Sequence, residues 1–155
     1  MNDGQRWQRA HLDRLNNDGE KIYGIANLPG VIESFPPHED RKARHRANIL
    51  VKTDTIRVVL VTMLKGGELQ EHSAPGPITV QVLQGAIDFT VGDESHVMQE
   101  GDLISLAPGV RHSVHGVEDG AFLLTIGTFM RDPDPGGRQE MEDHDALLAE
   151  SERDA

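Results

Sequence analysis

Two histidines and a glutamine are the residues of this sequence best suited to form a chemical site. His72 and Gln70 lie in the run GGELQEH, and His112 follows the turn sequence APGVR. Neutral imidazole binds first-row divalent metal ions and exchanges a proton close to neutral pH. We therefore predict ligand binding by His72, His112 and Gln70, and we name His72 and His112 as the metal ligands if a metal is bound. No catalytic residue is predicted.

Each histidine lies in a frame of regularly spaced glycines. The first frame runs from Gly66 through five residues to His72 and closes at Gly85. The second, GDLISLAPGVRH, runs from Gly101 to His112. These stretches resemble the two paired motifs of the cupin family.

The resemblance covers about residues 47–128 and implies an all-β fold, the double-stranded β-helix or jelly-roll barrel of RmlC-like proteins. His72 and His112 would then meet in the barrel mouth. The segment from His72 to Gly85 is similar to single-domain cupins without an assigned substrate. The resemblance therefore implies a fold but not a specific activity.

The metal-binding motif of the family is incomplete in this chain. The second histidine of the first motif is replaced by Ala74, and the glutamate position falls at Ile78. Gly116 stands where the second motif usually has asparagine. Two of the four ligands that the family implies are missing, and the lost carboxylate removes the negative charge that helps to hold a cation.

Two interpretations of the histidine pair remain open. The rings can be polar groups of a pocket, hydrogen-bonded to each other, to water or to a ligand. In this first interpretation the ligand is anionic. Alternatively, the rings can hold Fe, Mn, Ni or Zn, with water, Gln70 or an oxyanion of the substrate completing the shell.

The sequence around the site predicts short strands. From Asn48 to Met130, apolar runs alternate with glycine- and proline-containing turns, which is typical of an antiparallel sandwich or barrel. Because side chains alternate along a strand, Gln70, His72 and Ala74 should share the inner face. We expect the outer histidines His38, His45, His96 and His144 to be solvated and His11 to pack on a helix, although His45 could be delivered to the mouth by the arm.

The sequence divides into three segments. Residues 1–46 are predicted to form a short N-terminal helix over residues 3–15, an irregular arm and the basic cluster Arg41–Arg46. Residues 47–130 form the barrel. Residues 131–155 are an acidic tail with nine acids and three arginines, expected to be disordered or to form a short surface helix.

Composition excludes several classes of protein. A net charge of −11 opposes binding to nucleic acid, and the lack of cysteine excludes disulfides and thiolate chemistry. No secretory signal or membrane-spanning run is visible, so we expect a soluble cytoplasmic protein that does not bind membranes.

Three functions fit these observations. The first is a small-molecule binder, anionic ligands included, and the second is a metal-dependent enzyme similar to cupin dioxygenases or isomerases. The third is an assembly module. Because exposed sheet edges need cover, we also expect a homodimer to which residues before Asn48 contribute.

Overall fold

A computed structural model describes residues 22–37, 39, 42–127 and 135–153, and the side chains of the last stretch from 139 to 148. The predicted helix over residues 3–15, with His11, lies outside the described residues, as does His38. In chain order, the described elements are α1 Leu28–Ser34, β1 His45–Lys52, β2 Ile56–Met63, β3 Glu68–His72, β4 Ile78–Val91, β5 Glu94–Gln99, β6 Leu103–Leu106, β7 His112–Gly127 and α2 Pro135–Arg153.

The strands form an antiparallel jelly-roll barrel, which confirms the predicted fold. Strands β1, β2, β7, β4 and β5 are neighbours in that order, while β3 pairs with β7 and β6 pairs with β4. The long strands β4 and β7 therefore each pair with three others and form the centre of the barrel. No helix among the described residues is long and apolar enough to cross a membrane.

Glycines allow β4 and β7 to bend past each other at close range. A Cβ atom on Gly120 would lie 2.1 Å from the Gln84 carbonyl oxygen, and one on Gly85 would lie 2.3 Å from the Asp119 carbonyl oxygen. The pairing register also shifts on either side of Gln84. Residues without a side chain are thus needed where the two strands bulge.

The arm contains a helix, α1, where the sequence predicted irregular structure. The Asn27 side chain accepts a hydrogen bond from the Gly30 amide at 2.9 Å, and Pro29 lies in the first turn, a position that proline tolerates. Val31 of this helix packs with Leu50 and Leu60 in a small apolar cluster. The arm therefore covers one face of the sheet at β1 and β2.

The acidic tail forms the 19-residue helix α2, which is longer than the short helix expected. Met141 and Leu148 are almost completely buried and belong to the main barrel core. They lie seven residues apart, two helical turns, and so share one face. Apolar residues on this face, rather than the overall composition, determine that the helix packs on the barrel.

Candidate functional site

The two predicted site histidines lie directly opposite each other on paired strands. His72 ends β3, His112 begins β7, and the two residues are register partners. Their ring centroids are 4.5 Å apart with planes tilted by 59°, and the residues are 6% and 3% exposed. The fold thus brings together two rings that lie 40 residues apart in the sequence.

Gln70 does not follow the predicted alternation. The β3–β7 register shifts between Leu69 and His72, so Leu69 and His72 are buried while Gln70 is exposed. A bulge inserts an extra residue and reverses the inward and outward positions beyond it. The expectation that the Gln70 side chain shares the inner face with His72 is therefore wrong, although Ala74 is buried as expected.

Backbone carbonyl oxygens fix the orientation of both rings. His72 Nδ1 donates to the Gln70 carbonyl oxygen at 2.8 Å, and His112 Nδ1 donates to the Val110 carbonyl oxygen at 2.9 Å. A carbonyl can only accept, so each neutral ring carries its proton on Nδ1 and a lone pair on Nε2. Gln70 thus contributes to the site through its backbone.

Both rings favour the neutral state. Burial lowers the pKa of His72 below the usual 6.5, and the nearby charge of Arg111 lowers it further. Burial likewise lowers the pKa of His112, and His72 adds to that effect. The hydrogen bonds to the backbone carbonyl oxygens act in the opposite direction but do not outweigh burial. At neutral pH the pair therefore presents lone pairs rather than positive charge.

An aromatic side chain packs against the pair. The Phe89 ring stacks on His112 with centroids 5.3 Å apart and planes 10° from parallel. Ala74 and Ile78, at the two family positions that have lost their ligands, belong to the buried barrel core. Gly116 cannot be replaced by a larger residue without movement, since a Cβ there would lie 2.4 Å from the Leu64 carbonyl oxygen.

A third histidine, His144 of α2, joins the pair. Its ring centroid lies 5.5 Å from that of His72, and the residue is only 5% exposed. Burial lowers the pKa of His144 to about 4, with further contributions from His72 and His112. The expectation that His144 is solvated is therefore wrong. The spacing Met141, His144, Leu148 is the sequence signal that could have placed it on the packed face of a helix.

Ion pairs attach α2 to the barrel beside His144. Arg57 Nε lies 3.0 Å from Asp145 Oδ2, with both side chains buried, and Lys52 Nζ lies 3.1 Å from Glu142 Oε2. Arg57 also reaches Glu142 at 3.4 Å. The acidic residues of the tail that face β1 and β2 thus serve to position the helix.

These residues do not form a complete metal site. Among the residues that the structure describes, no group of three or more His, Cys, Asp or Glu side chains is arranged to hold a metal ion. The two positions where the family would supply further ligands hold buried Ala74 and Ile78. A metal at the histidine pair would need donors from outside this set.

The remaining histidines and basic residues lie elsewhere. His45 is buried at the start of β1, opposite Met63. The expectation that His45 is solvated is therefore wrong. His96 is exposed and borders a shallow groove of about 370 Å³ on β5 and β6, apart from the histidine pair. In the described part of the basic cluster, the Arg46 guanidinium lies 5.0 Å above the Phe35 ring.

Comparisons with known proteins agree with the fold. The cupin domain family matches residues 59–127. No curated protein is significantly similar in sequence. A conserved protein of unknown function from Streptococcus pyogenes has a similar structure, with a TM-score of 0.60 and 23% identity over 76% of this chain and 96% of that one.

Two further solved structures are similar at lower identity. The cupin domain of Cnp3 from Schizosaccharomyces pombe gives a TM-score of 0.56 at 20% identity, over 67% of this chain and 73% of that one. A cupin-2 domain protein from Shewanella frigidimarina gives a TM-score of 0.55 at 15% identity, over 66% of this chain and 94% of that one. At such identities the likeness concerns the fold alone. Together, the family match and the jelly-roll barrel show a cupin domain in residues 59–127 of this chain.

Proposed function

We propose that the protein binds a small, uncharged molecule in the barrel at His72 and His112. The observation that carries the proposal is the pair of Nε2 atoms, which have no hydrogen-bond partner among the described residues while both Nδ1 atoms are held by carbonyl oxygens. Two fixed lone pairs beside an apolar wall suit a ligand that carries a hydrogen-bond donor on an apolar skeleton.

The protonation state argues against an anionic ligand. Since burial lowers the pKa of both rings, they are neutral at pH 7 and point acceptors at the ligand. The oxygens of an anion are themselves hydrogen-bond acceptors, and this histidine pair would offer them no N–H donor. Arg111, the nearby positive charge, is exposed and paired with Glu71 at 2.9 Å. An uncharged ligand is therefore favoured over the anionic ligands that the sequence also allows.

Three matched aromatic probes test the proposal. Phenol has a hydroxyl donor, anisole has the same skeleton without a donor, and benzoate is an anion at neutral pH. The ring ¹⁵N signals of His72 and His112 should shift on titration with phenol and stay unchanged with anisole and benzoate. The Nε2 signals should move most, because these atoms accept the hydrogen bond.

Variants complete this test. His72→Ala and His112→Ala should each abolish the phenol response, while His96→Ala, a change at an exposed histidine, should leave it intact. Equal responses to phenol and anisole would show that the lone pairs do not select the ligand. A lack of response at both rings to all three probes would contradict the proposal.

A metal-dependent cupin enzyme of the dioxygenase or isomerase type is the second candidate. One observation favours it: an imidazole that donates Nδ1–H to a carbonyl and presents Nε2 is the form in which histidine commonly binds metals. Elemental analysis of protein purified without a metal column distinguishes the two candidates. One equivalent of a first-row metal, lost in the His72→Ala/His112→Ala double variant, would support the enzyme.

A further inference from the structure

We propose that His144 of α2 is a third ligand-contacting residue, so that the bound molecule bridges the barrel and the C-terminal helix. This inference rests on the proposed small-molecule function and extends it to a residue outside the matched cupin domain. The geometry that supports it is the cluster of rings, in which His144 faces His72 at 5.5 Å and His72 faces His112 at 4.5 Å.

The unsatisfied nitrogens of His144 point to a missing partner. Both Nδ1 and Nε2 are buried and have no hydrogen-bond partner among the residues that the structure describes. The residue is 5% exposed, so bulk water does not satisfy them. A buried polar atom without a partner destabilises a protein, because it has given up its hydrogen bonds to water and gained none in return. A ligand or an ordered water that bonds to His144 would remove that penalty.

His144 can offer the ligand an N–H donor, which the other two rings lack. His72 and His112 use their only N–H groups on backbone carbonyl oxygens and keep acceptors for the ligand. A neutral His144 ring, bound to no backbone group, always retains one N–H donor and one acceptor. The three rings together can therefore accept from a hydroxyl group and donate to the same oxygen. This pattern selects alcohols and phenols over ethers and carboxylates.

The helix is attached firmly enough to hold His144 in place. Asp145, the next residue, pairs with Arg57 at 3.0 Å, and Met141 and Leu148 are buried in the barrel core one turn on either side. A side chain fixed by its neighbours loses little entropy on binding. A ligand that contacts His144 and His72 at once should in turn strengthen the docking of α2.

The test uses the full chain, phenol as the probe and two substitutions at one position. His144→Phe keeps an aromatic ring but removes both nitrogens, and His144→Gln restores a donor and an acceptor. Phenol should shift the ring signals of all three histidines with one common Kd. Binding should weaken roughly three- to tenfold in His144→Phe, the effect of one hydrogen bond, and recover in part in His144→Gln.

Hydrogen–deuterium exchange of residues 139–148 supplies a second readout. Phenol should slow exchange in this segment of the wild-type protein and have a smaller effect in His144→Phe. Faster exchange would mean that the ligand displaces α2, which would overturn the inference.

The two proposals fail differently. If phenol shifts His72 and His112 but not His144, and His144→Phe binds it as well as the wild type, His144 is not a contact and the binding function stands. If none of the three rings responds, both proposals fail. Thermal unfolding of each variant checks that it is folded.

Discussion

His144 of α2 contacts His72 of β3 ring to ring, with centroids 5.5 Å apart, although one belongs to the acidic tail and the other to the first cupin motif. His72 in turn contacts His112 at 4.5 Å. Three buried imidazoles therefore form one cluster, in which His72 lowers the pKa of His112, and both rings lower the pKa of His144.

This histidine cluster should make the stability of the protein sensitive to acid. Because the folded-state pKa values of His72, His112 and His144 lie below the unfolded value of 6.5, the unfolded chain binds more protons below that pH. The stabilisation from neutral histidines is complete above pH 6.5 and is lost as the pH falls, for His144 down to about 4. Urea unfolding at a series of pH values measures this loss.

His144→Phe serves as the control for the acid effect, since carboxylates also titrate at low pH. The variant should lose less of its free energy of unfolding than the wild type between pH 7 and pH 5. Parallel profiles for the two proteins would contradict the assignment.

The buried ion pair between Arg57 and Asp145 should matter for stability. Arg57→Met leaves the buried Asp145 carboxylate with only Lys52, whose Nζ lies 3.7 Å from Oδ2, and breaking a buried pair typically destabilises by about 3–5 kcal/mol. Arg57→Met/Asp145→Leu, which removes both charges, should recover much of that loss. Arg111→Met breaks the exposed pair with Glu71 and should change the free energy of unfolding by less than about 1 kcal/mol. Urea unfolding compares the three, and equal losses would refute the prediction.

Two neighbouring leucines of α2 should differ sharply in their contribution to the free energy of unfolding. Leu148 is 1% exposed in the main core, whereas Leu147 is 38% exposed. Leu148→Ala should lower the free energy of unfolding by about 2–5 kcal/mol, and Leu147→Ala by less than about 1 kcal/mol. Chemical denaturation of the two variants checks the difference. Similar small effects would mean that the helix does not pack on the barrel in solution.

The position of the missing asparagine should not accept a side chain. Gly116→Ala places a Cβ 2.4 Å from the Leu64 carbonyl oxygen, while Gly127→Ala on the same strand meets nothing closer than 3.5 Å. Gly116→Ala should therefore lower the melting temperature clearly and Gly127→Ala only slightly. The prediction is wrong if thermal unfolding ranks the two variants in the opposite order.

The homodimer remains a prediction that light scattering can test. Ile25 is 74% exposed and Tyr23 is 46% exposed in the arm before Asn48, and exposed apolar residues are common at interfaces. Ile25→Asp should weaken the dimer, and Val97→Asp, at a similarly exposed residue of β5, should not. A monomer at micromolar concentration would contradict both the dimer and the role of the arm.

The sequence predicted the barrel and the histidine pair well because the glycine frames determine the register of the strands. Gly66 and Gly101 are turn residues with positive φ angles of 83° and 93°, so they mark where chain reversals occur. Once the turns are placed, His72 and His112 must meet at the β3–β7 pair.

The failures have local causes. Gln70 was placed on the wrong face because a bulge within β3 is invisible to a rule of simple alternation. His144 was missed because nine acids dominate the tail and conceal the apolar positions Met141 and Leu148. The helix α1 was missed because Pro29 and Gly30 suggest a turn, whereas Asn27 makes them the first turn of a helix.

The burial of Met141 and Leu148 means that the folding unit is longer than the cupin domain. The matched domain ends at residue 127, yet the hydrophobic core of the barrel includes side chains from α2. A fragment that stops at residue 127 would open this core to water on one side. The matched domain therefore ends before the part of the chain that is needed for a closed hydrophobic core.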